Sequence, residues 1–213
     1  KNVQDSTSNV TGNPFLQATG GTITTCGNCK IHTFTGPGTF TVSAIAFCAA
    51  QNEVSYMVVA GGGSGGTPSG SGGSGGGGAG GFREDQSPTA PYTTSPLEGA
   101  GPITVTATAF PITVGGGGAS KPSGPAGGGT GSGNPGNNSI FSTITSTGGG
   151  GGGGIPTGEE DGLPGGSGGG ARYGPNSAGT GNTPPTSPAQ GRNGGNTPSA
   201  TRSGAGGGGA GAV

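Results

Sequence analysis

The most reactive side chains in this sequence are two cysteines, Cys26 and Cys29, which bracket Gly27-Asn28 in a CxxC arrangement. That spacing suits metal knuckles and redox motifs, but a zinc site needs about two further ligands. Only Cys48 and His32 remain to supply them, and His32 lies in an adjacent strand pattern. Three readings stay open: a disulfide linking two of Cys26, Cys29 and Cys48, reduced thiols, or a metal site. No cofactor is expected.

The inventory for catalysis is thin. A Ser–His–acid triad would have to use His32, the sole histidine, and no GxSxG elbow stands in a suitable context. Gly70-Ser71-Gly72-Gly73-Ser74-Gly75 satisfies GxGxxG, yet no helix pattern follows it to receive a phosphate. Glu159-Glu160-Asp161 has oxygens for Ca²⁺, although a solvated loop tip explains it as well. Arg83-Glu84-Asp85 reads as the polar start of a loop. Paired carboxylates for glycoside cleavage would require residues 84–85 to meet 159–161. The expectation is a protein without enzymatic activity.

Recognition is better provided for. Segment 82–102 holds Phe82, Arg83, Tyr92 and Leu97, and segment 171–203 holds Arg172, Tyr173, Arg192 and Arg202. Tyrosine and arginine are enriched at recognition hot spots, and loops on a rigid scaffold are where binding usually sits. Phe82, Arg83, Tyr92, Leu97, Arg172 and Tyr173 are the receptor-binding candidates.

These loops need a scaffold, and the composition makes that problem severe. Glycine supplies 59 and proline 18 of the 213 residues, a fraction usual for disordered chains. Strict Gly-X-Y is absent, which excludes collagen. Only 7 basic and 8 acidic residues are present, for a net charge of −1. Little self-repulsion holds such a chain open, and no electrostatic case exists for nucleic acid. No stretch approaches the roughly 20 apolar residues that span a bilayer, so no membrane insertion is expected. The N-terminus shows no secretion-signal pattern.

The glycine blocks follow a rule. Val54 to Ala60 runs into Gly61-Gly62-Gly63, Pro111 to Val114 into residues 115–118, and Ser139 to Thr147 into the glycines 148–154. A β-type run leading three times into glycine marks a folded chain. Residues 1–14 read as a polar arm. Residues 15–60 form a small antiparallel β sheet or sandwich, in which 54–60 looks like a strand buried on both faces. Residues 61–213 form a glycine-rich domain with interspersed strands and loops, ending where a further strand would begin. No window has a helical period.

Glycine can order without side chains as a left-handed threefold extended helix rising about 3.1 Å per residue. Its N–H and C=O groups point sideways on three edges, and without Cβ atoms neighbouring helices pair backbone to backbone. Block 148–154 could then be surrounded on every side. The fold class expected is all-β/irregular: a small antiparallel β region, then a bundle of polyglycine II-type helices with surface loops and essentially no α-helix.

This wording resembles the glycine-rich virion proteins of marine cyanophages, and the architecture is similar to polyglycine-helix tail-fibre adhesins of T-even-like phages. The resemblance is carried by residues 20–25, 30–35, 38–43, 54–63, 79–84, 111–119 and 138–154. It covers roughly 20–150; residues 172–213 fit by composition only. Cys26 and Cys29 stand where relatives usually have polar residues. The resemblance implies a tail-fibre or appendage adhesin at the virion surface. Its partners would be other virion subunits, a host cell-surface receptor and, for a fibre, further copies of itself. The alternatives are a capsid-decorating or fibre-forming subunit that binds no receptor, and a cellular extracellular glycine-rich protein.

Overall fold

The computed structural model describes residues 13–27, 29–68, 72–86, 93–99, 101–122, 131–155, 158–198 and 202–211. Alternating Thr, Val, Ile and Phe runs form the strands, as their β-branched and aromatic side chains favour. They are β1 (Gln17–Thr19), β2 (Thr22–Cys26), β3 (Cys29–Thr33), β4 (Gly38–Ala44), β5 (Glu53–Val54), β6 (Tyr56–Val59), β7 (Phe82–Asp85), β8 (Ile103–Thr104), β9 (Ala109–Thr113), β10 (Ser139–Phe141) and β11 (Ile144–Ser146). No α-helix occurs among the described residues, as expected; the one helical element there is the 3-10 turn Ala49–Gln51.

From 103–114 and 139–147, β9, β10 and β11 join the sheet begun by 15–60. Five strands lie in the order β1-β4-β9-β10-β11, every pair antiparallel. The remaining strands form two-stranded pairs, β2 with β3, β5 with β8 and β6 with β7. Phe40 and Val42 of β4 and Val105 make the apolar core, with Phe34, Phe110 and Phe141 packed around it. Phe40 meets Phe141 edge-on at 6.0 Å.

The run 54–60 corrects the expectation of a strand buried on both faces. Tyr56 and Val58 are buried, whereas Met57 and Val59 are 57% and 48% exposed. Burial alternates along β6, so only one of its faces is covered.

The glycine blocks are ordered, and their hydrogen bonds advance three residues at a time. Ala60, Gly63 and Gly66 donate N–H to the carbonyls of Gly81, Gly78 and Gly75 at 2.9–3.0 Å. Gly75, Gly78 and Gly81 donate in turn to Gly153, Gly150 and Thr147 at 2.7–2.8 Å. Those two pairings are antiparallel. Gly149 and Gly152 donate to Gly61 and Ser64, and Gly150 and Gly153 to Ser167 and Gly170, both in parallel. A β-ladder repeats every two residues; a step of three is that of a threefold extended helix. None of the glycines in 61–66, 73–81, 115–118, 148–154, 162–170 or 204–209 has positive φ, so these blocks share one hand.

Block 148–154 is buried throughout and enclosed on all three edges. A Cβ at Gly148, Gly151 or Gly154 would strike the carbonyl of Gly136, Gly133 or Gly131; at Gly149 or Gly152, that of Gly78 or Gly75; at Gly150 or Gly153, that of Leu163 or Glu160.

The segment 172–203, expected to be loop, also contributes to the bundle. Gly162 and Gly165 donate to Ser177 and Thr180, while Gly168 and Ala171 donate to Arg192 and Gly195. A run need not be all glycine to join. It needs small residues only where its edges are covered, as at Gly191 and Gly194, whose added Cβ atoms would strike the carbonyls of Gly166 and Gly169.

Candidate functional site

The bundle has two ends, and the candidate residues divide between them. Thr147, Gly81, Ala60 and Gln190 mark the end beside the sheet; Gly153, Gly75, Gly170 and Arg172 mark the far end. Seven residues at about 3.1 Å each separate Thr147 from Gly154, roughly 20 Å.

At the sheet end, Phe82 and Arg83 lie half-buried on β7. Leu97 is 6% exposed and belongs to the interior, so it offers no surface to a receptor. Its backbone N–H is held by Ser95 Oγ at 3.1 Å. Tyr92 lies outside the described residues. The run Arg83-Glu84-Asp85 is strand rather than loop start, and both carboxylates are buried. Burial raises the Asp85 carboxyl above its ordinary range, and the neighbouring Glu98, Glu53 and Glu84 add to the rise against a backbone hydrogen bond from Gly101. Tyr56 stands opposite Asp85 in the β6–β7 register. Its phenol is likewise raised, first by burial, and its hydroxyl has no hydrogen-bond partner among the described residues.

At the far end, Arg172 and Tyr173 follow the glycine block 168–170. Arg172 is 7% exposed. Its guanidinium reaches Glu160 Oε1 at 3.5 Å and stacks 4.1 Å from the centre of the Tyr173 ring. Thr197 Oγ1 contacts the carbonyl oxygens of Arg172 at 2.5 Å and Gly174 at 2.6 Å. Tyr173 is half-buried and lies against Gly72, where a Cβ would strike its ring. Tyr173 therefore offers a surface, while Arg172 braces the end of the bundle.

The acidic run 159–161 serves the same purpose. Glu159 accepts the N–H of Ser132 at 3.0 Å, Glu160 pairs with Arg172, and Asp161 accepts the N–H of Ser177 at 2.6 Å. Beside it lies a cleft of about 310 Å³ lined by Lys121, Asn134, Glu159 and Asp161 among others. The carboxylates of 84–85 and 159–161 thus occupy opposite ends, roughly 20 Å apart along the bundle, and do not form a pair. His32 is structural: Nδ1 lies 2.8 Å from the Gly20 carbonyl, and its ring meets Phe40 edge-on at 5.0 Å.

Gln190 and Thr197 were not singled out by sequence, although each holds a junction, and Glu160, read there as a Ca²⁺ candidate or a solvated loop tip, is the ion-pair partner of Arg172. Gln190 is fully buried; its Oε1 accepts from Thr147 at 2.8 Å and its Nε2 donates to Pro184 at 3.1 Å. No periodicity around Gln190 signals that role. Among the described residues, no group of His, Cys, Asp and Glu converges as a metal site, and no helix is long and apolar enough to cross a membrane.

Comparison with curated proteins and with solved structures finds no match. A family model described as a glycine-rich domain matches residues 34–213. It takes in β4, the later strands of the sheet and the entire glycine bundle, and on that match the chain belongs to the glycine-rich domain family.

Proposed function

We propose that the chain is a non-enzymatic adhesin of a phage tail fibre or similar virion appendage, which displays connections between its glycine helices to a host-surface receptor. The supporting observation is the three-residue hydrogen-bond lattice. It holds a side-chain-free interior rigid and gathers the connections carrying Tyr173, Arg202, Lys121 and the cleft at one end. The glycine interior has no chemistry with which to tell one surface from another. Specificity then belongs to these connections and, at the other end, to Phe82 and Arg83. Other virion subunits or further copies of the chain would anchor the opposite face.

A second reading, a capsid-decorating or fibre-forming subunit without a receptor, draws support from Arg172, whose guanidinium is turned inward onto Glu160. The test between them is adsorption. Particles with and without this domain are compared on their host, alongside purified domain carrying Tyr173→Ala. The adhesin reading expects slower adsorption without the domain and weaker binding by the folded variant; unchanged adsorption leaves the structural reading.

A further inference from the structure

We infer that Cys26 and Cys29 form a dithiol clasp at the tip of the β2–β3 hairpin, which closes into a disulfide by exchange with small-molecule disulfides and leaves Cys48 out. The two cysteines are directly opposed in the antiparallel register, Cys26 with Cys29, next to Thr25 with Lys30. Only Gly27 and Asn28 lie between them in sequence, and Gly27 takes φ 57°, as a tight hairpin turn requires. Directly opposed residues of antiparallel strands have Cα atoms about 4.5–5.5 Å apart, within the roughly 4.4–6.8 Å over which a disulfide closes. The register therefore sets the two backbone positions at a separation a disulfide can span.

Three further observations narrow the chemistry. All three cysteines are free thiols, Cys26 exposed and Cys29 half-buried, so a small reagent can reach the pair. No third His, Cys, Asp or Glu among the described residues joins them, which leaves two sulfurs without the ligand set that zinc needs. Finally, the hairpin is a two-stranded sheet outside the five-stranded one, and β2 is exposed along its whole length. Two paired strands contribute little stability of their own in water, so a covalent link across the hairpin tip has a structural consequence.

The exchange proceeds in two balanced steps. The Cys26 sulfur, as thiolate, attacks one sulfur of a low-molecular-weight disulfide; that S–S bond breaks, and one small thiol leaves with a proton. The Cys29 sulfur then attacks the Cys26 sulfur of the mixed disulfide, and the second small thiol leaves. The protein loses two thiol hydrogens, and one small disulfide becomes two small thiols.

The test treats the reduced full chain with oxidised glutathione, alkylates the remaining thiols and maps the products by peptide mass spectrometry. The expected result is loss of two of the three alkylatable thiols, with an internal link between Cys26 and Cys29 and none to Cys48. The Cys29→Ser chain, unable to complete the second step, should accumulate a glutathione adduct on Cys26, while Cys48→Ser should still form the internal link. Independent adducts on Cys26 and Cys29 in the unaltered chain, or a link to Cys48, would overturn the inference.

Discussion

Gly78 donates its N–H to the carbonyl of Gly150 at 2.8 Å, and Gly150 carries nothing that could hold the two segments apart. The contact is available only to glycine, because a Cβ at Gly150 would strike the Leu163 carbonyl on another edge. Much of the bundle's cohesion rests on contacts of this type. Apolar burial belongs mainly to the sheet, around Phe40.

Substitution should therefore be graded by edge. Gly151→Val forces away the Gly133 backbone and leaves several buried groups unpaired, each at about 1–3 kcal/mol. Gly206→Val meets open space and should change stability by no more than about 0.5 kcal/mol. Thermal unfolding of the two variants checks this, and equal midpoints would contradict the bundle.

Phe40 touches His32, Phe110 and Phe141 by ring contacts of 5.0–6.3 Å. Phe40→Ala should cost about 3–5 kcal/mol, the usual range for emptying an aromatic core site. Urea denaturation gives the value.

Arg172→Ala should destabilise rather than merely weaken recognition. It strips Glu160 of its ion-pair partner and Tyr173 of its stacking partner. A loss of about 1–3 kcal/mol is expected, with Glu160 part-exposed and so below the full cost of a broken buried pair. Tyr173→Ala, measured beside it, should lose less.

Asp85 makes stability depend on pH in a stated direction. Burial raises its folded-state pKa above the unfolded value of 3.8. The folded protein then binds the proton more tightly, so the group's contribution is complete below pH 3.8 and is lost as pH rises through the folded pKa. Asp85→Asn keeps an oxygen for Gly101 and removes the charge. It should raise the unfolding midpoint at neutral pH, with a gain that shrinks on acidification towards about pH 4.

The sequence was most informative where it was most monotonous. Residues 148–154 carry no side chains, so a surrounded position was the one place they could be ordered, and they occupy it. The strand that ends in Val59 could be read for its existence but not for its faces. Which face is covered depends on segments distant in sequence, β10 and β11 among them, that lie against β6. Segment 172–203 misled because its Pro, Asn and Thr residues look like loop chemistry, whereas its bundle contacts depend on the glycines at intervals, such as Gly191 and Gly194. The candidates Arg172 and Leu97 were chosen for residue type, and type is silent on burial. Their inward packing comes from Glu160 and from the turn at Ser95, relationships visible only in three dimensions.

The three-residue step also sets a rule for how such a chain can change length. Removing one glycine from 148–154 would turn every later residue of that block by a third of a revolution and aim its donors at the wrong neighbours. Removing or adding three restores the phase and costs one rung. Length variation inside the blocks should therefore come in triplets, a frame written in the backbone itself, while the connections between blocks remain free to vary by any number.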